Sequence, residues 1–358
     1  MKLLVVIPTW NRADCLDKAI QAISEARSQT QKCTVELFIS DNCSSDHTSD
    51  VTSKWQQRAP WIHVRRWETH TSHWGEILER ALLHSGLEFD YLWLQGDDDL
   101  LFEASAYQQL AEALEASAED PPAVVHCCPI RRALPGEGGV FAGTTEDLCN
   151  TFGWYDLLGW ISSLVVARDT VVRMMASPQW QLKPPSTFVH SEALLEAAYG
   201  RTMLILTTGF IDPQDEEATP DTIDRWLKED VLEGFWNIIP GIANLKRRGV
   251  LTEPLTLGFF RHLTYSLWDR FAIQLMSLAS KPDTPAEELV RKMDLMAEFA
   301  SLLGYGEDRK LYENWFEGFQ DDIKDVRRAM QVIQRRIAQH KQASYAYTLM
   351  PPGSNEGR

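Results

Sequence analysis

The sequence predicts an α/β fold with a mainly parallel central sheet, followed by a helical C-terminal region. Three observations carry this prediction. Short apolar runs alternate with amphipathic stretches from Leu3 to about Thr208. Helix formers with hardly any alternation fill the chain after Phe210, and polar clusters follow three of the apolar runs.

The elements can be taken in order. Leu3–Ile7 is an unbroken aliphatic run stopped by Pro8. Val35–Ser40, Ile62–Arg66, Tyr91–Leu94, Ala123–Cys127, Ile161–Val166 and Met203–Thr207 are the further strand candidates. Between them, Ala13–Ala26, Thr48–Gln57, Trp74–His84, Ala104–Ala116 and Ser191–Tyr199 place apolar residues near helical spacing, which predicts connecting helices. The acidic segment Asp212–Glu217 and Pro220 mark a break. Beyond it, helical patterns run through Asp221–Arg248, Leu255–Leu278, Pro285–Leu303 and Asp321–Gln339, and from Ser344 the composition is that of a frayed tail. The expected organisation is residues 1–210 as the α/β domain, 211–343 as a helical domain and 344–358 as a flexible tail.

Composition narrows the function classes. With 358 residues, 44% of them hydrophobic, the chain can bury a large core. A formal net charge of -16 argues against wholesale binding to nucleic acid or to an anionic membrane, both of which need a positive surface. No apolar run reaches bilayer-spanning length, and Pro8 ends the opening run too early for a signal-peptide core, so a cytoplasmic protein is expected. Cys15, Cys33, Cys43, Cys127, Cys128 and Cys149 show no C-x-x-C spacing, so reduced, mostly packed thiols are expected rather than zinc ligands or disulfides.

The run Gly96-Asp97-Asp98-Asp99-Leu100 follows the apolar segment Tyr91–Leu94. Adjacent like charges at a strand end are costly unless a cation or ligand donors compensate them. A hard cation held by two carboxylates completes its shell with water and phosphate oxygens, which points to a nucleotide diphosphate; a solvated acidic turn is the competing reading. Two more polar clusters stand at strand ends, Pro8-Thr9-Trp10-Asn11-Arg12 and Asp41-Asn42-Cys43-Ser44-Ser45-Asp46. Ligands of open α/β sheets bind outside the carboxyl ends of the strands, so three such clusters can share one crevice.

In order and spacing these three clusters resemble the family 2 glycosyltransferases of the GT-A (nucleotide-diphospho-sugar transferase) fold. The resemblance covers roughly the first 110 residues. It implies that Pro8 and Thr9 shape the wall around the nucleotide, with Asn11 and Arg12 in the same nucleotide-sugar site. Asp41 would accept a hydrogen bond from the base, Asn42 would support that loop, and Asp98 would bind ribose. Asp99, with Asp97 through water, would hold Mn2+ or Mg2+ against the diphosphate as a Lewis acid. Where family members often carry an Asn and Gly segment, this chain has Thr71–Glu76; Gly75 suits a close backbone approach and His73 would face the diphosphate.

The family takes its catalytic base from an acidic pair at a helix start. The nearest match here, Phe188–Glu196, lacks the pair and offers Glu192 first and His190 second. A helix-start Glu192 that merely offsets the macrodipole is the competing reading. Gly159–Arg168 resembles the acceptor side of the branch acting on bacterial surface polysaccharides, which implies that Trp160 stacks on a sugar while Ser162 or Ser163 bonds its hydroxyls.

The expected partners are a nucleotide-diphosphate sugar donor and a carbohydrate or lipid-linked glycan acceptor, with no nucleic acid. A basic, amphipathic segment, Lys324–Lys341, leaves peripheral contact with the inner membrane face open, although such a helix more often packs on its own domain. Homo-oligomerisation is likewise open. The expected function is metal-dependent, inverting sugar transfer in bacterial surface glycan assembly. The alternatives are a sugar-nucleotide or glycan binding protein without transfer activity, and a nucleotidyltransferase, which would need a glycine-rich basic loop that Trp10-Asn11-Arg12 does not supply.

Overall fold

The computed structural model describes residues 1–130, 139–181, 189–213 and 238–251, with isolated positions between 259 and 302. The chain divides into two compact units, Met1–Leu148 with Leu157–Lys228, and Cys149–Asp156 with Glu229–Arg358. The helical patterns at Leu255–Leu278 and Asp321–Gln339, most of Pro285–Leu303, the basic segment Lys324–Lys341 and the tail from Ser344 lie outside the described residues.

Among the described residues, nine strands form one sheet in the first unit: β1 (Lys2–Thr9), β2 (Thr34–Asp41), β3 (Ile62–Arg66), β4 (Tyr91–Leu94), β5 (Asp99–Leu101), β6 (Val124–Pro129), β7 (Val140–Thr144), β8 (Leu164–Ala167) and β9 (Thr202–Pro213). The connecting helices are α1 (Ala13–Gln29), α2 (Thr48–Arg58), α3 (Trp74–Leu83), α4 (Ala106–Ala116), α5 (Thr145–Phe152), α6 (Trp154–Leu158), α7 (Arg168–Ala176), α8 (Pro178–Gln181) and α9 (Val189–Ala198). Strand order is β3-β2-β1-β4-β8-β6-β9-β5, with β7 also paired to β9.

The parallel expectation holds for β3-β2-β1-β4, where a crossover helix joins each strand to the next in the chain. Beyond β4 the sheet is mixed: β6 and β9 pair in parallel, while β4 with β8, β6 with β8, β5 with β9 and β7 with β9 are antiparallel. The expected strand Ile161–Val166 therefore begins later. Ile161–Ser163 is a single 3-10 turn, and the ladder starts at Leu164 opposite Leu94. This antiparallel neighbour places its own beginning beside the end of β4, which brings the 160–163 turn to the carboxylate triplet.

The core explains the strand sequences. Leu3, Val5 and Ile7 on one face of β1, and Leu4 and Val6 on the other, are buried, as a central strand covered on both faces requires. Leu16, Ala19, Ile20, Ile23 and Ala26 recur at helical spacing in α1 and belong to the same core as Leu3, Val5 and Ile7. Pro8 stands two residues past the last β1–β4 rung, Val6 with Leu94, so its missing N–H costs no ladder bond on that side. All six cysteines are free thiols.

In the second unit α10 (Ile238–Arg247) is followed by Gly249 at φ +71°, a left-handed C-terminal stop. Trp154 stacks on Phe259 with ring centroids 6.0 Å apart. Among the described residues no helix is long and apolar enough to cross a membrane.

Candidate active site

Strand order turns at β1 and β4, and the polar clusters lie at the carboxyl ends of β1, β2 and β4, where such a switch opens a crevice. Hydrogen bonds between the clusters hold it together. Thr9 Oγ1 donates to Asp97 Oδ2 at 2.7 Å, and the Arg12 guanidinium reaches Asp97 Oδ1 at 3.0 Å and Asp98 Oδ2 at 2.7 Å. Asn11, at φ 52°, takes the left-handed conformation that Asn tolerates, and its side-chain oxygen accepts the Ser45 N–H at 2.7 Å. Asp46 accepts the Ala13 N–H at 3.1 Å, and thus caps the start of α1 from the β2 loop. Asn11 is in this way a bracket between two loops.

The carboxylate triplet is unevenly presented. Asp97 is 5% exposed and Asp99 7%, whereas the Asp98 side chain is 36% exposed. Burial pushes the Asp97 carboxyl up to about 6, against the pull of Arg12 and Thr9. Burial, reinforced by the charge of Asp98, pushes Asp99 up to about 7, with the Ser162 hydroxyl pulling the other way. Desolvation alone would lower the Arg12 pKa, but Asp97 and Asp98 outweigh it and raise it.

Three carboxylates against one guanidinium leave a formal excess of two negative charges around Gly96 (3 − 1 = 2). A Cβ at Gly96 would come within 2.9 Å of both Asp98 Oδ1 and Asp99 Oδ2, so these oxygens converge over this glycine and any side chain there would displace the two carboxylates. No group of three or more His, Cys, Asp or Glu side chains forms a metal cage among the described residues. The donor set fits a hard divalent cation that takes one or two carboxylates and fills its shell from a ligand's phosphates.

The β2 loop is stapled to the segment before α3. Asp41 is buried, and its Oδ1 accepts the Ser44 N–H at 2.8 Å. Asn42 Nδ2 donates to the Thr71 carbonyl at 2.8 Å, and its Oδ1 accepts from Thr71 N–H at 3.2 Å and Arg80 at 2.9 Å. Trp10, 47% exposed, stacks on His70 with ring centroids 4.3 Å apart at the mouth of this wall. His73 precedes α3, and its ring carbon Cε1 lies 3.3 Å from where a Cβ on Gly75 would stand. A side chain at position 75 would therefore press on that ring.

The 160–163 turn and the start of α9 close the other side. Ser162 and Ser163 are fully buried: the Ser162 hydroxyl donates to Asp99 Oδ2, and that of Ser163 donates to the Trp160 carbonyl at 2.7 Å. Neither hydroxyl faces outward to meet an acceptor, because each satisfies a buried partner. Trp160 is half-buried against the core. His190, in the first turn of α9, donates through Nε2 to the Gly159 carbonyl at 3.1 Å, and burial holds its pKa down at about 4. Glu192 is 0% exposed; its Oε2 accepts from Gln179, and its Oε1 has no partner among the described residues. Burial lifts its pKa to about 8. The expected helix-start glutamate is thus an inward-facing acid, because α9 is buried on nearly every side and not along one stripe.

Two site residues escape the sequence motifs. Arg80 carries charge to the wall by bonding Asn42 and the Thr69 carbonyl at 2.7 Å, and it lies 5.0 Å from the Trp67 ring. His70 backs Trp10. The available signal was an arginine within the apolar stretch Ile77–Leu83, five residues after Gly75.

Comparisons with known proteins agree with this geometry. Residues 4–136 match the model of glycosyl transferase family 2. An uncharacterised glycosyltransferase of Mycoplasma genitalium is 25% identical over 114 residues, 31% of this chain and 38% of that protein. The abequosyltransferase RfbV of Salmonella typhimurium is 29% identical over 106 residues, 29% of this chain and 30% of that one. The match spans about a third of the length of these curated relatives. Among solved structures, residues 1–349 of S. aureus TarS in complex with UDP superpose with TM-score 0.60 at 16% identity, covering 94% of this chain and 92% of that one. A further structure of S. aureus TarS 1–349 gives TM-score 0.57 at 15% identity over 97% of this chain and 91% of that one. These structures share the fold. The three strand-end clusters and the mixed sheet fall within or beside the stretch, residues 4–136, that is similar to glycosyl transferase family 2, and the chain shares the GT-A fold of the TarS structures.

Proposed function

We propose that the protein transfers a sugar from a nucleotide-diphosphate donor to a carbohydrate or lipid-linked glycan acceptor, by a single displacement with inversion. The observation that carries this reading is the convergence of Thr9, Arg12, Asp97, Asp98 and Asp99 at the switch point of the sheet. Trp10 and His70 offer an aromatic ledge for the nucleobase beside Asp41 and Asn42, and Asp98, the exposed member of the triplet, suits the ribose hydroxyls. Asp99, supported by Asp97, would hold Mn2+ or Mg2+, which supplies charge stabilisation for the departing diphosphate. A role in bacterial surface glycan assembly draws support from the match to an abequosyltransferase.

The acceptor hydroxyl needs a base. His190 is favoured over Glu192 on position: it bonds the 159–163 turn that also holds Asp99, whereas Glu192 is paired with Gln179 of α8. The low pKa that burial gives His190 makes it a weak base, so its place rather than its basicity carries the choice. Trp160 remains the sugar-stacking candidate on that turn.

A thermal-shift screen of uridine, guanosine, thymidine and cytidine diphosphates, with and without Mn2+, tests the reading. A ligand that binds only the native state raises its apparent stability. At least one nucleotide should raise the midpoint, and more so with Mn2+. No shift with any of them would overturn the assignment.

A further inference from the structure

The hydroxyl of Ser162 sits inside the protein between two groups of the carboxylate segment. It donates to Asp99 Oδ2 and accepts the Gly96 N–H at 2.8 Å. The Ser162 carbonyl accepts the Trp93 indole N–H at 2.8 Å, and Trp93 is itself wedged edge-on between Tyr107 and Phe210. The Asp99 carbonyl takes the Gln95 side-chain amide at 2.7 Å. Main chain and side chain of Asp99 are therefore both fixed, and the anchor is a turn held against the rigid core. One carboxylate oxygen is occupied, while Oδ1 has no protein donor among the described residues.

The three acids are held by different groups. Thr9 and Arg12 hold Asp97, and Arg12 holds Asp98. Asp99 has a neutral hydroxyl partner and, among the described residues, no ion pair. It is the member of the triplet with most to gain from an external cation. A carboxylate that binds metal through one oxygen is commonly oriented by a hydrogen bond to the other, and removing such a support costs about 10–100-fold in metal affinity.

We propose that Ser162 is the positioning residue of the metal-binding carboxylate: by tying Asp99 Oδ2 to the Gly96 N–H, it aims Asp99 Oδ1 at a divalent cation. Ser162 thereby leaves the acceptor side, where the sequence pattern put it, and joins the metal side. The inference rests on the proposed metal role of Asp99.

The test is Mn2+ binding without nucleotide, followed by the loss of the free-ion signal in electron paramagnetic resonance. Ser162→Ala removes the hydroxyl, Ser162→Cys keeps nearly the same volume with a weak donor, and Ser162→Thr keeps the hydroxyl. Ala and Cys should each weaken Mn2+ binding by about 10–100-fold. Thr should stay near the wild type, and nucleotide affinity measured without metal should stay unchanged in all three. If the Ala variant fails to fold, the Cys variant carries the comparison. Wild-type Mn2+ affinity in a folded Ala or Cys variant would overturn the inference, as would an equal loss of metal and metal-free nucleotide binding, which marks a general packing defect. Asp99→Asn separates the two levels. If it abolishes Mn2+ binding while the Ser162 variants retain it, the Ser162 role alone falls; if it binds Mn2+ like the wild type, the metal assignment of Asp99 falls first.

Discussion

Thr9 and Asp97 join the ends of neighbouring parallel strands, the Thr9 hydroxyl donating to Asp97 Oδ2 at 2.7 Å where the order of the sheet turns. The bond is buried and connects the first motif of the chain to the third across 88 residues. Thr9→Val keeps the shape and removes the donor. It should lower unfolding stability by about 1–3 kcal/mol, the usual cost of leaving a buried polar group short of a partner. Urea denaturation at neutral pH measures it, and an unchanged midpoint would show that Arg12 alone satisfies Asp97.

Arg12→Met removes the cation that Asp97 and Asp98 share. Breaking a buried ion pair by deleting one partner costs about 3–5 kcal/mol, and the half-buried setting of Arg12 reduces that towards the value for Thr9→Val. A divalent cation can replace part of the missing charge. Mn2+ should therefore raise the thermal midpoint of Arg12→Met more than that of the wild type. Equal increments in the two proteins would count against the charge argument.

Glu192 makes a prediction with a definite sign. Its folded pKa, raised to about 8 by burial, lies above the ordinary glutamate value of 4.5, so the folded state binds more protons than the unfolded state between these values. Its contribution to stability is complete below about pH 4.5 and is lost as pH rises through about 8. Glu192→Gln keeps an oxygen that can accept from Gln179 and cannot ionise. The variant should lose that share of the alkaline decline and be more stable than the wild type above pH 8. Parallel stability curves for the two proteins across pH 5–9 would mean that Glu192 does not titrate in the folded state.

His190→Ala tests the base. Transfer turnover should fall by about a hundredfold or more, with little change in donor KM, as expected for loss of proton transfer in the transition state. If Glu192→Gln shows that loss and His190→Ala does not, the two roles are exchanged.

Much of this site was legible in the sequence because its first three motifs are contiguous and each follows an apolar run. Leu3–Ile7, Val35–Ser40 and Tyr91–Leu94 are strands with the expected polar ends, and their parallel pairing follows from the helices between them. The second half of the sheet was harder to read. β5 begins at Asp99 itself, so a three-residue strand hides inside an acidic run, and β7 is five residues long with mixed burial. Antiparallel pairing of β8 with β4 leaves no periodic trace, yet it is what carries Ser162 to Asp99. Asn11 and Asp46 read as ligand-facing or turn residues, and their bonds across two loops depend on contacts that only folding creates. Glu192 read as a helix-start acid because sequence spacing cannot show that α8 covers that end of α9.

The central claim is that the triplet serves metal-assisted sugar transfer, and Asp99 tests it most directly. Nucleoside diphosphate release from sugar nucleotides should be measured with wild type and Asp99→Asn, at matched Mn2+ concentrations and with a glycan acceptor present. The account predicts acceptor-stimulated release by the wild type and a loss of about a hundredfold or more in the variant. Equal rates in the two proteins, or no release from any sugar nucleotide that binds the wild type, would contradict it.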